Sequence, residues 1–239
     1  MVLTRRWRIG AALLVAVPSA LGFAAWVLLS RPQPAWLASR WPIDLADPAN
    51  RLLGWRLAAL KSNRDACRQV LKAPNAVASE LTDTVVADGC GWRNGVRLSA
   101  AGGARLPVDK ITCEMTAAMA LWITHEVQPA ARAIFGEPVA SVRHRGGYAC
   151  RNIRGNSAHA HIKSEHARAN ALDIGAFVLA SGRQVAVLKS WGRDEAEGQF
   201  LAQVHRGACR YFRVAIGPAY NAAHRDHFHY DRGPYAACR

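Results

Sequence analysis

Six of the nine histidines in this 239-residue chain fall in two bursts: His159, His161 and His166, then His224, His227 and His229. Asp173 follows His166 by seven positions, in Ser164-Glu165-His166-Ala167-Arg168-Ala169-Asn170-Ala171-Leu172-Asp173-Ile174. Two neutral imidazoles and one carboxylate make a ligand set suited to catalytic zinc, because three protein ligands leave a fourth position open for water. The ion keeps a net positive charge in such a set. That charge would lower the pKa of the water and polarise a substrate carbonyl.

The elements expected to carry these residues are consistent with that chemistry. Leu172-Asp173-Ile174 opens an apolar strand, so Asp173 can point into a cleft while its neighbours face a core, and His166 comes from the loop before it. In Asp226-His227-Phe228-His229-Tyr230 the two histidines stand at i and i+2, which on a strand puts both on one face and Phe228 on the other. One can bind metal while the other works beside it. An isolated H-x-H is commonly a satisfied core histidine or a solvated strand. Its combination with H-x6-D in one chain is the more specific signal.

Ser164-x-His166-x-x-Ala169-x-Ala171-x-Asp173-Ile174 followed by His227-x-His229 resembles the zinc signature of the D-Ala-D-Ala carboxypeptidase, dipeptidase and murein endopeptidase superfamily. Within it, the chain from about Pro42 onward is most similar to the bacterial extensin-like C-terminal domain family. The shared landmarks are Cys67, Gly89-Cys90, Cys113, Gln128-Pro129-Ala130, Tyr148-x-Cys150-Arg151, Ser164-Glu165-His166, Gly217-Pro218 and His224-x-Asp226-His227-Phe228-His229.

The resemblance implies a Hedgehog/D-Ala-D-Ala peptidase-like fold, with His166, Asp173 and His229 holding Zn2+. It implies a hydrolase of amide bonds in peptidoglycan peptides, in which Arg151 steadies the developing oxyanion or clamps a carboxylate. For the general base it offers two residues. The peptidases place a Glu three residues before the last ligand, where this chain has Asp226; the endopeptidase-like branch uses the first histidine of H-x-H, here His227. Strand parity puts His227 on the metal side and Asp226 on the other face unless the backbone turns before it. A non-catalytic cell-wall or envelope-binding module of the same fold is the alternative.

Where related proteins often carry Gly, this chain has Ala169, which is harmless if that backbone needs no positive φ and otherwise bears on the loop geometry, not on the ligands. Ser164 reads as a turn or capping hydroxyl. His144, His159, His161 and His205 read as polar surface or outer-shell residues without an assigned role.

The rest of the chain sets the context. A balance of 31 Lys+Arg against 17 Asp+Glu, formally +14, favours polyanions such as anionic wall polymers. No basic block or aromatic-interleaved basic helix marks a nucleic-acid footprint, and no nucleic-acid partner is expected. Ile9 to Ser30 is a charge-free run of about 22 residues, long enough for a hydrocarbon core of ~30 Å. Arg5, Arg6 and Arg8 precede it, so residues 1–8 are expected in the cytoplasm, 9–30 as an inner-membrane anchor and the remainder in the periplasm. A cleaved signal peptide is the rival reading, and it exports the domain equally.

Six cysteines without any C-x2-C pair suit three disulfides in an exported chain. Their pairing is open. Residues 31–50, punctuated by Pro32, Pro34, Pro42 and Pro48, read as a linker, and 51–239 as one domain.

Helices are expected from about Arg51 to Leu71, over Thr112–Val127 with Thr112 as cap, from Pro129 to about Phe135, and over Glu197–Phe212. Strands are expected at Thr84–Val86, with Asn94-Gly95 as a hairpin turn between Trp92 and Val96, at Val139–Val142, at Leu172–Leu179, and at Gln184–Leu188 after a Ser181-Gly182 turn. Segregated helices and antiparallel strands make the class α+β, an antiparallel sheet flanked by helices and stapled by disulfides.

Overall fold

A computed structural model describes residues 43–47, 52–155 and 157–239. The expected cytoplasmic end, the membrane segment 9–30 and most of the linker lie outside the described residues. Among the described residues no helix is long and apolar enough to cross a membrane. Residues 43–47, assigned above to the linker, differ from that reading: Ile43 and Leu45 are buried, and the Leu45 carbonyl accepts from Asn75 Nδ2 at 3.0 Å. Their apolar side chains belong to the core that they cover.

Two short helices open the continuous part, α1 (Leu53–Ala59) and α2 (Arg64–Val70), burying Leu53, Leu57, Cys67 and Val70. The central helix α3 (Cys113–Trp122) starts where Thr112 Oγ1 accepts from the Met115 N–H, and all ten of its residues are buried. It does not stop before Pro129. A single π turn, Ile123–Val127, carries it into α4 (Gln128–Phe135). The wider i→i−5 turn opens the hydrogen-bond ladder just where Pro129, lacking an N–H, could not close it. Gly136, at φ 74°, ends α4 in the left-handed conformation that glycine adopts without steric cost.

Against one side of these helices lies a sheet of nine strands: β1 (Ala76–Glu80), β4 (Gly95–Ala101), β5 (Ala104–Thr112), β6 (Val139–His144), β7 (Ala171–Leu179), β8 (Gln184–Ala186), β9 (Val214–Ile216), β10 (Phe228–Asp231) and β11 (Ala237–Cys238). Its order is β1-β4-β5-β6-β7-β10-β9-β11, with β8 beside β7. The β5–β6 and β9–β11 pairs are parallel and the others antiparallel. This is the α+β class expected from the sequence. The helix α6 (Ala196–Ala208) packs on α4, and a single turn, α5 (Val187–Ser190), replaces the end of the strand expected to reach Leu188.

Asn94-Gly95 is not the hairpin expected. The strand before it, β3 (Cys90–Trp92), pairs with β2 (Thr84–Ala87) through the two-residue turn Asp88-Gly89, in a separate small sheet. Asn94 instead turns the chain from one sheet into the other. Its φ is +49°, and its side-chain amide donates to the Leu60 carbonyl at 2.6 Å. The hairpin that joins β4 to β5 turns at Gly102-Gly103, both at positive φ, as a tight two-residue turn demands.

The core side of the sheet is fixed by alternation. Leu172 and Ile174 on β7, and Phe228 and Tyr230 on β10, are buried with Trp122, whose ring sits 5.1 Å from that of Tyr230. His205, on α6, belongs to this layer rather than to the surface. It stacks on Phe228 at 4.4 Å and bonds the Tyr230 hydroxyl and the Arg239 carbonyl.

The six cysteines form three disulfides, Cys67–Cys113, Cys90–Cys150 and Cys209–Cys238. A buried ion pair crosses the same core, with Arg232 Nε donating to Glu114 Oε1 at 2.6 Å.

Candidate metal centre

Because β7 and β10 pair antiparallel with Asp173 opposite His229, both side chains leave the sheet on the face away from the core. The third member arrives from a 3-10 turn, Glu165–Arg168, opened by Ser164, whose hydroxyl accepts from the His166 N–H at 3.3 Å. The chain then returns to β7 through Ala169 at φ +54°. The backbone at Ala169 therefore does need a left-handed residue, and Ala169 holds it with its carbonyl accepting from the Thr112 N–H at 2.9 Å.

The three side chains converge. His229 Nδ1 lies 2.8 Å and His166 Nε2 3.2 Å from Asp173 Oδ1, and the two ring nitrogens lie 3.2 Å apart. Each residue offers one ligand atom, and these atoms lie within 4.8 Å of one another. The far side of each ring is tied to an oxygen. His166 Nδ1–H donates to the Gly147 carbonyl at 3.0 Å, and His229 Nε2–H to Asp231 Oδ2 at 3.1 Å. Such outer bonds select the tautomer and turn the other nitrogen towards a common point. Two imidazoles aimed in this way and one carboxylate fit a zinc ion.

Charge in the cluster follows the same contacts. Burial alone would push the Asp173 carboxyl up, but hydrogen bonds from His166 and His229 outweigh it and hold it well below the usual carboxylate range. For His229 burial acts downward, yet bonds to Asp173 and Asp231 push the imidazole up to about 9.

Zinc binding here would have to displace a proton from His229 Nδ1, and its affinity would then climb as pH rises towards 9. The sign is opposite for the metal-free protein. A histidine whose folded pKa exceeds its unfolded value contributes stability that is complete below about 6.5 and is lost as pH rises through the folded value. Calorimetric titration with zinc in buffers of different ionisation enthalpy reads the proton directly. Binding at pH 7 without proton release would contradict this arrangement.

Around the cluster the structure brings His227, Asp226, Arg151 and His224. His227 Nε2 lies 3.8 Å from Asp173 Oδ1, while its Nδ1 bonds Asp226 Oδ1 at 2.8 Å. Asp226 is not on the opposite face. The backbone turns before the strand, with the His227 N–H directed to the His224 carbonyl at 3.4 Å, so both side chains stand on one side. The His227 hydrogen bond and the nearby Arg145 guanidinium hold the Asp226 carboxyl below its ordinary value against partial burial.

Arg151 is half-buried, and its segment is pinned by the Cys90–Cys150 bridge and by Ser164 N–H donating to the Arg151 carbonyl at 3.1 Å. Desolvation lowers its pKa while the Asp173 charge opposes that. A guanidinium stays charged at ordinary pH nonetheless.

His224, given no role from sequence, stands 5.2 Å from the His227 ring and 5.9 Å from that of His229, its Nδ1 bonded to Asn221 Oδ1 at 2.7 Å. Burial, with His229 and His227 beside it, pushes its imidazole down to about 4 and so keeps it neutral. Asp231 and Arg145 were also missed. Asp231 continues the alternation of His227 and His229 on one strand face and was legible by that period. Arg145 carried no signal among the other arginines.

The elements and the cluster define an α+β protein with a mostly antiparallel sheet, three disulfides and a three-residue set able to hold a metal. The chain belongs to the family described as Extensin-like protein C-terminus, whose model matches residues 65–239. That span includes every cysteine and every residue of the cluster. No curated protein and no solved structure matches the chain.

Proposed function

We propose that the chain is a zinc-dependent hydrolase of amide bonds in peptidoglycan peptides, anchored in the inner membrane through residues 9–30 with its domain in the periplasm. Its fold is taken to be of the Hedgehog/D-Ala-D-Ala peptidase type. One observation carries this reading: His166 and His229 are each locked by an outer oxygen in the orientation that brings a ring nitrogen onto Asp173. Zinc bound there would act as a Lewis acid on the scissile carbonyl and acidify water.

The chain's own residues do the rest. His227 presents Nε2 to the metal side and accepts the proton of the attacking water, then returns it to the leaving amine. Arg151 steadies the charge that develops on the carbonyl oxygen. The formal charge of +14 draws anionic wall material to the surface.

The test is turnover of purified muropeptides by the zinc-loaded full-length protein. His166→Ala should abolish it through loss of metal. His227→Ala should keep zinc while losing on the order of 10²-fold or more in kcat. Zinc-loaded protein that binds sacculi but cleaves no faster than His166→Ala would instead be a wall-binding module.

A further inference from the structure

Asp226 occupies the position at which the related peptidases place a carboxylate base, and its surroundings in this chain are unlike those of a base. Both of its oxygens are engaged. Oδ1 accepts from His227 Nδ1–H at 2.8 Å, and Oδ2 lies 2.8 Å from Arg145 Nη1. The two nitrogens of an imidazole lie on opposite sides of the ring. Asp226 therefore lies across the His227 ring from the nitrogen that faces Asp173 at 3.8 Å.

Arg145, whose side chain is half-exposed, is placed by its backbone. Its backbone N–H donates to the Asp173 carbonyl at 2.8 Å, so it moves with the strand that carries the cluster's only carboxylate. Its guanidinium also lies over Gly175, with Nε 3.6 Å from where a Cβ would stand. Gly175 is not at positive φ, so the backbone makes no demand for glycine there. What it supplies is room. A methyl would fit at van der Waals contact, and the further carbons of a branched side chain would crowd the Arg145 Nε.

We infer that Asp226 and Arg145 are positioning residues, which hold His227 as the Nδ1–H tautomer with its Nε2 lone pair facing the cluster, and that Asp226 does not accept the substrate proton. Proton transfer by His227 rests on the hydrolase reading, whereas the orientation of the ring does not.

Long-range 1H–15N correlation spectra of the histidine rings in the full-length protein read the tautomer without substrate. In wild type His227 should show a protonated Nδ1 and a bare Nε2. In Asp226→Asn, Arg145→Gln and Gly175→Val the signals should move to a mixture of both tautomers, with zinc content unchanged. Asp226→Glu should restore much of the wild-type pattern. Gly175→Val keeps every ionisable group, so it carries the same readout if an Asp226 variant fails to fold.

On muropeptides, Asp226→Asn and Arg145→Gln should lower kcat by on the order of 10²-fold or more while KM is held. An unchanged His227 tautomer in Asp226→Asn, Arg145→Gln and Gly175→Val overturns the inference. So does a His227→Ala protein that stays active while Asp226→Asn is dead. Absence of turnover in every protein, wild type included, counts against the hydrolase reading and leaves the tautomer result to stand by itself.

Discussion

Replacing Asp173 with alanine is expected to lower zinc affinity by well over about 100-fold, since changing an outer partner of a metal ligand already costs about 10–100-fold. Asp173 is the only anionic member of the cluster, and it receives both His229 at 2.8 Å and His166 at 3.2 Å. Without it two imidazoles remain, with no carboxylate to offset the charge of the ion. The milder change Asp231→Asn, which alters the acceptor behind His229 and that of the Gly233 N–H but none of the three cluster residues, should fall within the 10–100-fold range.

Competition against a chromogenic chelator measures both. A thermal readout runs in parallel: at zinc a hundred times above its Kd the wild type should gain about 2.7 kcal/mol, and the Asp173→Ala protein almost none. Equal zinc affinity in Asp173→Ala and wild type would remove the centre from consideration.

Arg232→Ala is expected to destabilise the domain by about 3–5 kcal/mol, the usual effect of breaking a buried ion pair from one side. Arg232 is 4% exposed and Glu114 2%. Besides Glu114, the guanidinium donates to the Tyr211 carbonyl at 2.6 Å and the Gly54 carbonyl at 2.8 Å, so one side chain ties α1, α3 and the segment after α6 together.

Burial pushes the Glu114 carboxyl up and the Arg232 charge opposes it, while Glu114 Oε2 has no hydrogen-bond partner among the described residues. Removing the cation leaves that buried acid without its partner and takes a donor away from two carbonyls. Replacing both charges at once, as in Glu114→Leu with Arg232→Met, should recover most of the loss because the desolvation penalty disappears with them. Urea unfolding of both proteins decides it. A single variant within about 1 kcal/mol of wild type would mean that the pair contributes no more than an exposed one.

Much of the cluster was legible because it depends on short-range geometry. Period-two alternation is enough to put His227 and His229 on one side, and an apolar strand start is enough to turn Asp173 away from its neighbours. The Thr112 cap and the α+β class were equally local. What was not legible depends on partners far away in sequence.

Asn94-Gly95 has the composition of a hairpin, but its strands find other partners, and Asn94 spends its turn-forming geometry on a junction anchored to Leu60. The strand β5 offers no run of β-branched residues, since its exposed face carries Arg105, Pro107 and Asp109, and pairing with β4 makes it a strand. Placing Asp226 by strand parity failed because the turn at Ala222–His224 precedes the strand. The requirement for positive φ at Ala169 could not be read from alanine. It follows from how the 3-10 turn must re-enter β7.

The three disulfides have a bearing on the order in which this protein is assembled. Every cysteine is bridged. Before oxidation the same chain would offer six thiols, and thiolates are strong zinc ligands that need no preformed pocket. A nascent chain meeting zinc in that state would bind it through sulfur in many arrangements, each holding the polypeptide away from the native one. Closing the bridges removes those competitors and, through Cys90–Cys150, fastens the segment whose Gly147 carbonyl orients His166. If the cluster takes zinc, the bridges are expected to close before the metal is loaded, and a preparation refolded with zinc and reductant together should yield less native protein than one oxidised first.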